Sequence, residues 1–307
     1  MLLNIILLVL GFVLLIKGAD YFVDGASAMA ARLKISPIII GLTVVAMGTS
    51  APEAAISVSS ALAGSNAIAI GNVVGSNIAN IFLILGITAL ISTLTVQKNT
   101  IRFEMPFMIF ITLLLCWFGM QYGIISRFNA GVFIGLFILF LAYLFIISCG
   151  NTNTDTSIKQ ISTIKIILFI IFGLIALIFG SKITVLSAIN IAQYIGVSER
   201  VIGLTIVALG TSLPELVTSV IAARKGESDI AIGNIVGSNI FNILFVLGIA
   251  GLILPIPFNQ AFLFDGAFAI LAAVLLLLLT FKSRKLGRIS GIVFLLIYSV
   301  YLGCLIA

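Results

Sequence analysis

An internal duplication constrains the fold of this chain more than any other feature. The segment Gly41-Leu-Thr-Val-Val-Ala-Met-Gly-Thr-Ser-Ala-Pro-Glu53 returns 162 positions later as Gly203-Leu-Thr-Ile-Val-Ala-Leu-Gly-Thr-Ser-Leu-Pro-Glu215. The same offset maps residues 69–80 onto 231–242 and holds as far as residues 86 and 248. The chain therefore consists of two related halves, and each half carries one glutamate inside an apolar segment.

The composition indicates a polytopic membrane protein. Hydrophobic residues make up 62% of the chain and charged residues 8%, against about 25% charged in ordinary soluble proteins. With about 20 residues for each transmembrane helix, 307 residues leave room for roughly ten helices. Ionisable residues at membrane depth are costly, by roughly 2.5–3.5 kcal/mol at a helix centre, and mark ion pathways. The repeated glutamates therefore predict such a pathway.

Apolar runs between polar breaks predict the positions of ten spans. These are residues 3–19, 37–62, 68–92, 104–122, 128–148, 163–181, 201–223, 230–253, 262–281 and 289–306. Residues 20–37 and 182–200 are predicted to connect spans. Alternate connections divide the sixteen Lys and Arg residues thirteen to three, the poor side holding Arg127, Lys182 and Arg200. By the positive-inside rule the rich side is cytoplasmic, so both termini face outward. The net charge of +6 thus has a membrane explanation and predicts no nucleic-acid partner.

Five spans in each half predict an inverted repeat. We assign residues 1–150 to the first repeat, with its motifs at 41–86, and residues 163–307 to the second, with its motifs at 203–248. Residues 151–162 form a short cytoplasmic linker. Because five is odd, the second repeat enters the membrane upside down, and the two motifs meet about a pseudo-two-fold axis. The predicted fold is an all-α membrane protein of ten transmembrane helices, arranged as two inverted five-helix repeats with broken ion-binding helices. Glu53 and Glu215 then converge near the midplane.

The Gly-Thr-Ser-x-Pro-Glu blocks are predicted to break their helices. Proline lacks the N–H that would bond the carbonyl four residues earlier, so Pro52 frees the carbonyl of Gly48, and Pro214 that of Gly210. Non-helical backbone at membrane depth is tolerated where it lines a cavity or is buried in protein. Transporters use such breaks to coordinate ions.

The oxygen atoms near these breaks suit a hard cation. Two carboxylates are joined by hydroxyls and by backbone carbonyls, namely Glu53, Glu215, Thr49, Ser50, Thr211, Ser212 and the carbonyls of Ala46 and Ala208. Calcium takes six to eight oxygen ligands, and sodium also fits. The chain has no histidine, and therefore lacks the commonest transition-metal ligand and general base. We expect no prosthetic group and no enzyme activity.

The second repeated block carries glycines and a polar stripe. Gly71 and Gly75 are four residues apart, as are Gly233 and Gly237, a spacing that is also typical of simple helix packing. Asn72, Ser76 and Asn80 lie on one helix face, and Asn234, Ser238 and Asn242 repeat that face. Their neutral oxygens could complete an ion shell, although membrane hydroxyls often bond their own backbone. Glu104 and Asp265, near the starts of their spans, are predicted to be exposed at the membrane interface.

At these motifs the chain resembles the calcium/cation antiporter superfamily, whose paired repeats carry Gly-Thr-Ser-x-Pro-Glu and Gly-Ser-Asn-Ile-x-Asn elements. It is most similar to short prokaryotic sodium/calcium exchangers, which lack a large cytoplasmic regulatory loop. The resemblance implies a secondary antiporter that exchanges Na⁺ for Ca²⁺ by alternating access in the prokaryotic inner membrane. The two ions are its substrates, the lipid bilayer surrounds it, and no obligatory protein partner is implied.

The resemblance also implies which residues bind the ions. Glu53 and Glu215 correspond to shared carboxylates. The remaining oxygen ligands correspond to Thr49, Ser50, Thr211, Ser212, Ser76, Ser238, Asn80 and Asn242. Some relatives have aspartate at the position of Asn242, an acid associated with potassium transport in potassium-dependent exchangers, so Asn242 argues against potassium coupling.

Three other functions remain to be weighed. Proton/calcium exchangers of the same superfamily usually carry a Gly-Asn-rich signature around the glutamate, whereas Thr-Ser precedes both acids here. A channel fits inverted repeats with broken helices less well than alternating access does. An intramembrane enzyme would need a nucleophile with a base, and the sequence offers no such arrangement.

Overall fold

The computed structural model describes residues 1–150, 162–196 and 208–306. Its helices are α1 (Leu2–Leu33), α2 (Pro37–Thr49), α3 (Ala51–Leu62), α4 (Ala67–Ile91), α5 (Thr100–Tyr122), α6 (Arg127–Gly150), α7 (Thr163–Tyr194), α8 (Ala208–Gly210), α9 (Leu213–Arg224), α10 (Ser228–Ile253), α11 (Ala261–Phe281) and α12 (Arg288–Ile306). Within this described part, eight helices are long and apolar enough to cross a membrane, or nine if α2 and α3 form one bent span. The chain is thus an integral membrane protein.

Two predicted spans are too short. The spans at 3–19 and 163–181 belong to helices of 32 residues each, α1 and α7, so most of the predicted connections at 20–37 and 182–200 is helical. At 1.5 Å per residue each helix is about 48 Å long, well beyond a hydrocarbon core of about 30 Å. The predicted linker at 151–162 and the start of the span at 201–223 lie almost entirely outside the described residues.

An ion pair holds the polar end of α1. Lys225, between α9 and α10, places its Nζ 2.6 Å from Asp20 Oδ1 and 2.7 Å from Asp24 Oδ1. Burial acts to lower the pKa of Lys225, but the two carboxylates outweigh it and raise the pKa above its usual range. The chain stays helical beyond Asp20 because its acids on α1 have this partner.

Helices α1 and α7 pack against each other along matching glycines. A Cβ atom at Gly18 would lie 2.9 Å from the carbonyl oxygen of Gly173, and one at Gly173 would lie 2.7 Å from the backbone nitrogen of Phe22. Glycine removes the side chain that would hold the backbones apart. Gly11 and Gly173 are themselves 162 residues apart, so the same pattern serves both helices.

Two short antiparallel ladders join the halves. β1 (Leu94–Thr95) pairs with β4 (Lys285–Leu286), and β2 (Ile124–Ile125) pairs with β3 (Ile256–Pro257). Strands β1 and β3 are 162 residues apart, and so are β2 and β4. Exchanging the halves therefore converts one ladder into the other.

Candidate ion-binding site

The broken helices place both glutamates at helix N-termini. Helices α2 and α3 meet at a bend of 49°, and Glu53 lies in the first turn of α3. Glu215 lies in the first turn of α9, after the same Ser-x-Pro sequence. The carbonyl of Gly210, which has no partner N–H at Pro214, accepts a hydrogen bond from Ser181 Oγ at 2.8 Å. The predicted break is confirmed, and the helix dipole favours a carboxylate in each first turn.

Each glutamate contacts hydroxyl groups of the opposite half. Both side chains are 1% exposed. Ser50 Oγ donates a hydrogen bond to Glu215 Oε1 at 2.8 Å, and the Thr49 hydroxyl lies beside the same carboxyl group. The hydroxyls of Thr211 and Ser76 lie beside Glu53, whose charge also interacts with that of Glu215. The structure thus brings the two repeated blocks into one cluster.

Asn77 and Asn239 connect the halves at the centre of this cluster. Asn77 Nδ2 donates to the Asn239 carbonyl at 3.1 Å, and Asn239 Nδ2 donates to the Asn77 carbonyl at 3.2 Å. Their side-chain oxygens accept from Asn242 Nδ2 at 3.1 Å and from Asn80 Nδ2 at 2.9 Å, respectively. Sequence reasoning missed both residues because they lie off the predicted stripe. Their repetition within the duplicated block was the available signal.

The outer residues of the polar stripe bind the backbone at the glutamates. Asn72 Nδ2 donates to the Glu53 carbonyl at 3.2 Å, and Asn234 Nδ2 donates to the Glu215 carbonyl at 3.4 Å. Thr49 Oγ1 also donates to Asn234 Oδ1 at 2.9 Å. These amides hold the broken segments in place.

The two remaining ligand types are placed as follows. Ser238 Oγ donates to the Ala46 carbonyl at 3.4 Å, so this serine and this carbonyl are brought together. Ala208 begins α8, three residues before Thr211.

Five buried oxygen atoms in the cluster have no hydrogen-bond partner within the described part of the chain. They are Glu53 Oε2, Glu215 Oε2, Ser212 Oγ, Asn80 Oδ1 and Asn242 Oδ1. No described Lys or Arg forms an ion pair with either glutamate, since the ion pairs found there involve Lys225. Buried polar groups without partners are costly. A cation bound among these oxygens would satisfy them together, and all five are oxygen ligands of the kind that hard cations prefer.

The two sides of the cluster differ in packing. A Cβ at Gly237 would lie 2.7 Å from Ala46 Cβ, so α10 and α2 are in close contact. At the equivalent Gly75, a Cβ would meet no heavy atom of the described residues within 4 Å. Gly75, Ser76 and Thr211 instead line a cavity of about 390 Å³. The cluster is therefore closed on one side and approached by a cavity on the other.

Comparison with known proteins identifies the family. The family model described as "Sodium/calcium exchanger protein" matches residues 3–146 and 165–307. The putative antiporter CaxA of Alkalimonas amylolytica is 41% identical over 98% of each chain. The sodium/calcium exchanger MaX1 of Methanosarcina acetivorans is 36% identical over 97% of each chain. The solved structure of the sodium-calcium exchanger NCX_Mj, soaked with Na⁺ and Sr²⁺, aligns with a TM-score of 0.86 at 33% identity over 98% of each chain.

The fold and these matches define a membrane antiporter of cations that include Ca²⁺. The chain belongs to the sodium/calcium exchanger family.

Proposed function

We propose that this protein exchanges Na⁺ for Ca²⁺ across the membrane, and that both ions bind between Glu53 and Glu215. The observation that carries the proposal is the group of five buried oxygens without hydrogen-bond partners, two of which belong to these glutamates. The names of the relatives MaX1 and NCX_Mj support sodium as the counter-ion. The ion ligands are Glu53 and Glu215 with Thr49, Ser50, Thr211, Ser212, Ser76, Ser238, Asn80, Asn242 and the carbonyls of Ala46 and Ala208.

Charge neutralisation couples the two ions. One Ca²⁺, or two or more Na⁺, can neutralise the two carboxylates. The empty site carries two negative charges in a buried position, and uncompensated buried charge is strongly unfavourable. The protein therefore closes around the site readily only when ions occupy it. Exchange follows from this competition and needs no ATP.

Alternating access follows from two inverted repeats of five spans each. Three observations support this arrangement: the reciprocal hydrogen bonds of Asn77 and Asn239, the exchange of the two strand ladders, and the one-sided packing of the glycines. If the halves exchange their packing, the cavity on one side closes and an equivalent cavity opens on the other, while the central site stays in place.

The charge distribution sets the orientation. With the basic connections inside the cell, both termini lie outside and the cavity beside Gly75 opens outward. In this orientation the protein lies in the inner membrane of a prokaryotic cell.

Flux in liposomes tests the proposal. Purified protein is reconstituted, and ⁴⁵Ca²⁺ uptake is measured with an outward Na⁺ gradient, with and without a protonophore. We expect uptake that requires internal Na⁺, saturates with Ca²⁺ and persists with the protonophore. Uptake driven by a pH gradient without Na⁺ would identify a proton/calcium exchanger instead, and flux that neither saturates nor needs a counter-ion would identify a channel.

A further inference from the structure

Two carboxylate–tyrosine pairs lie outside the central cluster, one in each half. Tyr143 OH donates a hydrogen bond to Glu104 Oε1 at 2.7 Å, and Tyr301 OH donates to Asp265 Oδ1 at 2.9 Å. The acids lie near the starts of α5 and α11 and are 161 residues apart, an offset that also maps Arg127 onto Arg288. In each pair the tyrosine belongs to the last helix of its half.

The inner pair is buried, which overturns the prediction of interfacial exposure for Glu104. Its side chain is 4% exposed, and its Oε2 has no hydrogen-bond partner among the described residues. Asp265 is partly buried. A buried carboxylate oxygen without a partner is costly unless an ion or a proton satisfies it. Neither acid therefore serves only to solvate a helix end.

Both acids line cavities beside the central site, and the two cavities differ in size. Asp265 and Tyr301 line the same cavity of about 390 Å³ as Ser76 and Thr211, whose hydroxyls lie beside Glu53. Glu104 lines a space of only about 20 Å³, next to Leu42 of α2. The acid in the first half thus lies where the path is closed, and the acid in the second half lies where it is open.

We propose that Asp265, held by Tyr301, is a cation-binding residue at the entrance to the central site, and that Glu104 with Tyr143 is the equivalent residue for the opposite entrance. The inference rests on the proposed function, because it assumes that ions reach Glu53 through this cavity. Tyr301 engages one carboxylate oxygen, which leaves the other for a cation. A negative charge in a cleft with apolar walls concentrates cations, and oxygen ligands suit Ca²⁺ and Na⁺. The residue acts on entry of the ion and not on exchange at the central site.

Transport kinetics provide the first test. In liposomes with Asp265 facing the added ion, Asp265→Asn is expected to raise the KM for Ca²⁺ about threefold or more without lowering the maximal rate, because the local cation concentration falls. High concentrations of choline chloride should reduce the difference, and Asp265→Glu should restore the parent KM. Glu104→Gln is the matched control and should change the KM only for ions entering from the other side. Unchanged KM in Asp265→Asn, or a loss of maximal rate that Asp265→Glu does not restore, would overturn the proposal.

Terbium binding provides a second test that does not depend on transport. In a folded Glu53→Gln/Glu215→Gln variant, Tb³⁺ excited through tyrosine should still bind, because Tyr301 adjoins Asp265. Adding Asp265→Asn should abolish the saturable luminescence, and adding Glu104→Gln should leave it. Absence of the signal in the double variant, or its persistence after Asp265→Asn, would refute the site. If the parent protein shows no Na⁺-driven uptake yet binds Tb³⁺ as described, the proposed function fails and the entrance site stands.

Discussion

Asn77 and Asn239 each donate a side-chain amide to the backbone carbonyl of the other, at 3.1 and 3.2 Å. They occupy equivalent positions in the two halves, 162 residues apart. Their side-chain oxygens hold the amide groups of Asn242 and Asn80. Because those amides are engaged, the carbonyl oxygens of Asn80 and Asn242 are the atoms left for an ion. Asn77 and Asn239 are thus positioning residues for two proposed ligands.

Removing either positioning amide should weaken ion binding without abolishing exchange. Asn77→Ala releases Asn242, and Asn239→Ala releases Asn80. A side-chain hydrogen bond between membrane helices contributes about 0.6 kcal/mol on average, or roughly threefold in affinity. We expect a rise of that size in the KM for Ca²⁺. Thr88→Ala is the control, since Thr88 Oγ1 donates to the carbonyl of Ile84 in its own helix. Equal effects of all three variants would argue against positioning.

Neutralising either central glutamate should abolish Ca²⁺ transport. Glu53→Gln and Glu215→Gln keep the side-chain shape and each removes one of two charges, which leaves a divalent ion uncompensated in a buried site. ⁴⁵Ca²⁺ uptake under a Na⁺ gradient measures the effect, with gel filtration as the check on folding. Glu227→Gln is the matched control, because Glu227 accepts a hydrogen bond from Ser27 outside the cluster. Near-parent uptake by either central variant would refute the site.

The two glycine positions should bias the protein in opposite directions. Gly237→Ala places a methyl group 2.7 Å from Ala46 Cβ and should separate α10 from α2. Gly75→Ala fits the described neighbours here but would clash once the equivalent contact forms in the opposite state. Labelling of Ile56→Cys, which lines the cavity, should be slower in Gly237→Ala and faster in Gly75→Ala. Both variants should transport more slowly than the parent, and changes of labelling rate in the same direction would contradict the model.

Cysteine reporters should reveal the predicted orientation. After the native cysteines are replaced, Ser65→Cys in the exposed turn between α3 and α4 should react with an impermeant thiol reagent in intact cells. Ser283→Cys, exposed between α11 and α12, should react only after the membrane is permeabilised. Thr154→Cys in the predicted cytoplasmic linker should behave like Ser283→Cys. The reverse pattern would invert the topology.

Asn242 offers a test of ion selectivity. With a neutral amide at this position, Na⁺-driven Ca²⁺ exchange should proceed at similar rates with and without K⁺. Asn242→Asp adds a third carboxyl group to the cluster, where like charges raise the pKa of at least one and favour uptake of a proton or a monovalent cation. We therefore expect a steeper dependence of exchange on pH and a new response to K⁺. Exchange by the parent that strictly requires K⁺ would show that Asn242 does not have this role.

The sequence by itself determined the duplication, the membrane class and the two helix breaks. These depend on local chemistry. Proline removes a backbone N–H wherever it occurs, and a carboxylate in an apolar segment must be explained whatever surrounds it. The positions of most spans followed for the same reason.

Only the tertiary structure decided how far α1 and α7 extend, because the acids at the end of α1 remain helical through their contact with Lys225 from a distant part of the chain. It also decided that Asn77 and Asn239 meet, that Glu104 is buried, and that Gly237 is closely packed while Gly75 borders a cavity. The two halves are nearly identical in these motifs, so their sequences predict the same packing for both. The difference between a closed and an open side is a property of how the helices are arranged, and it exists only in the folded chain.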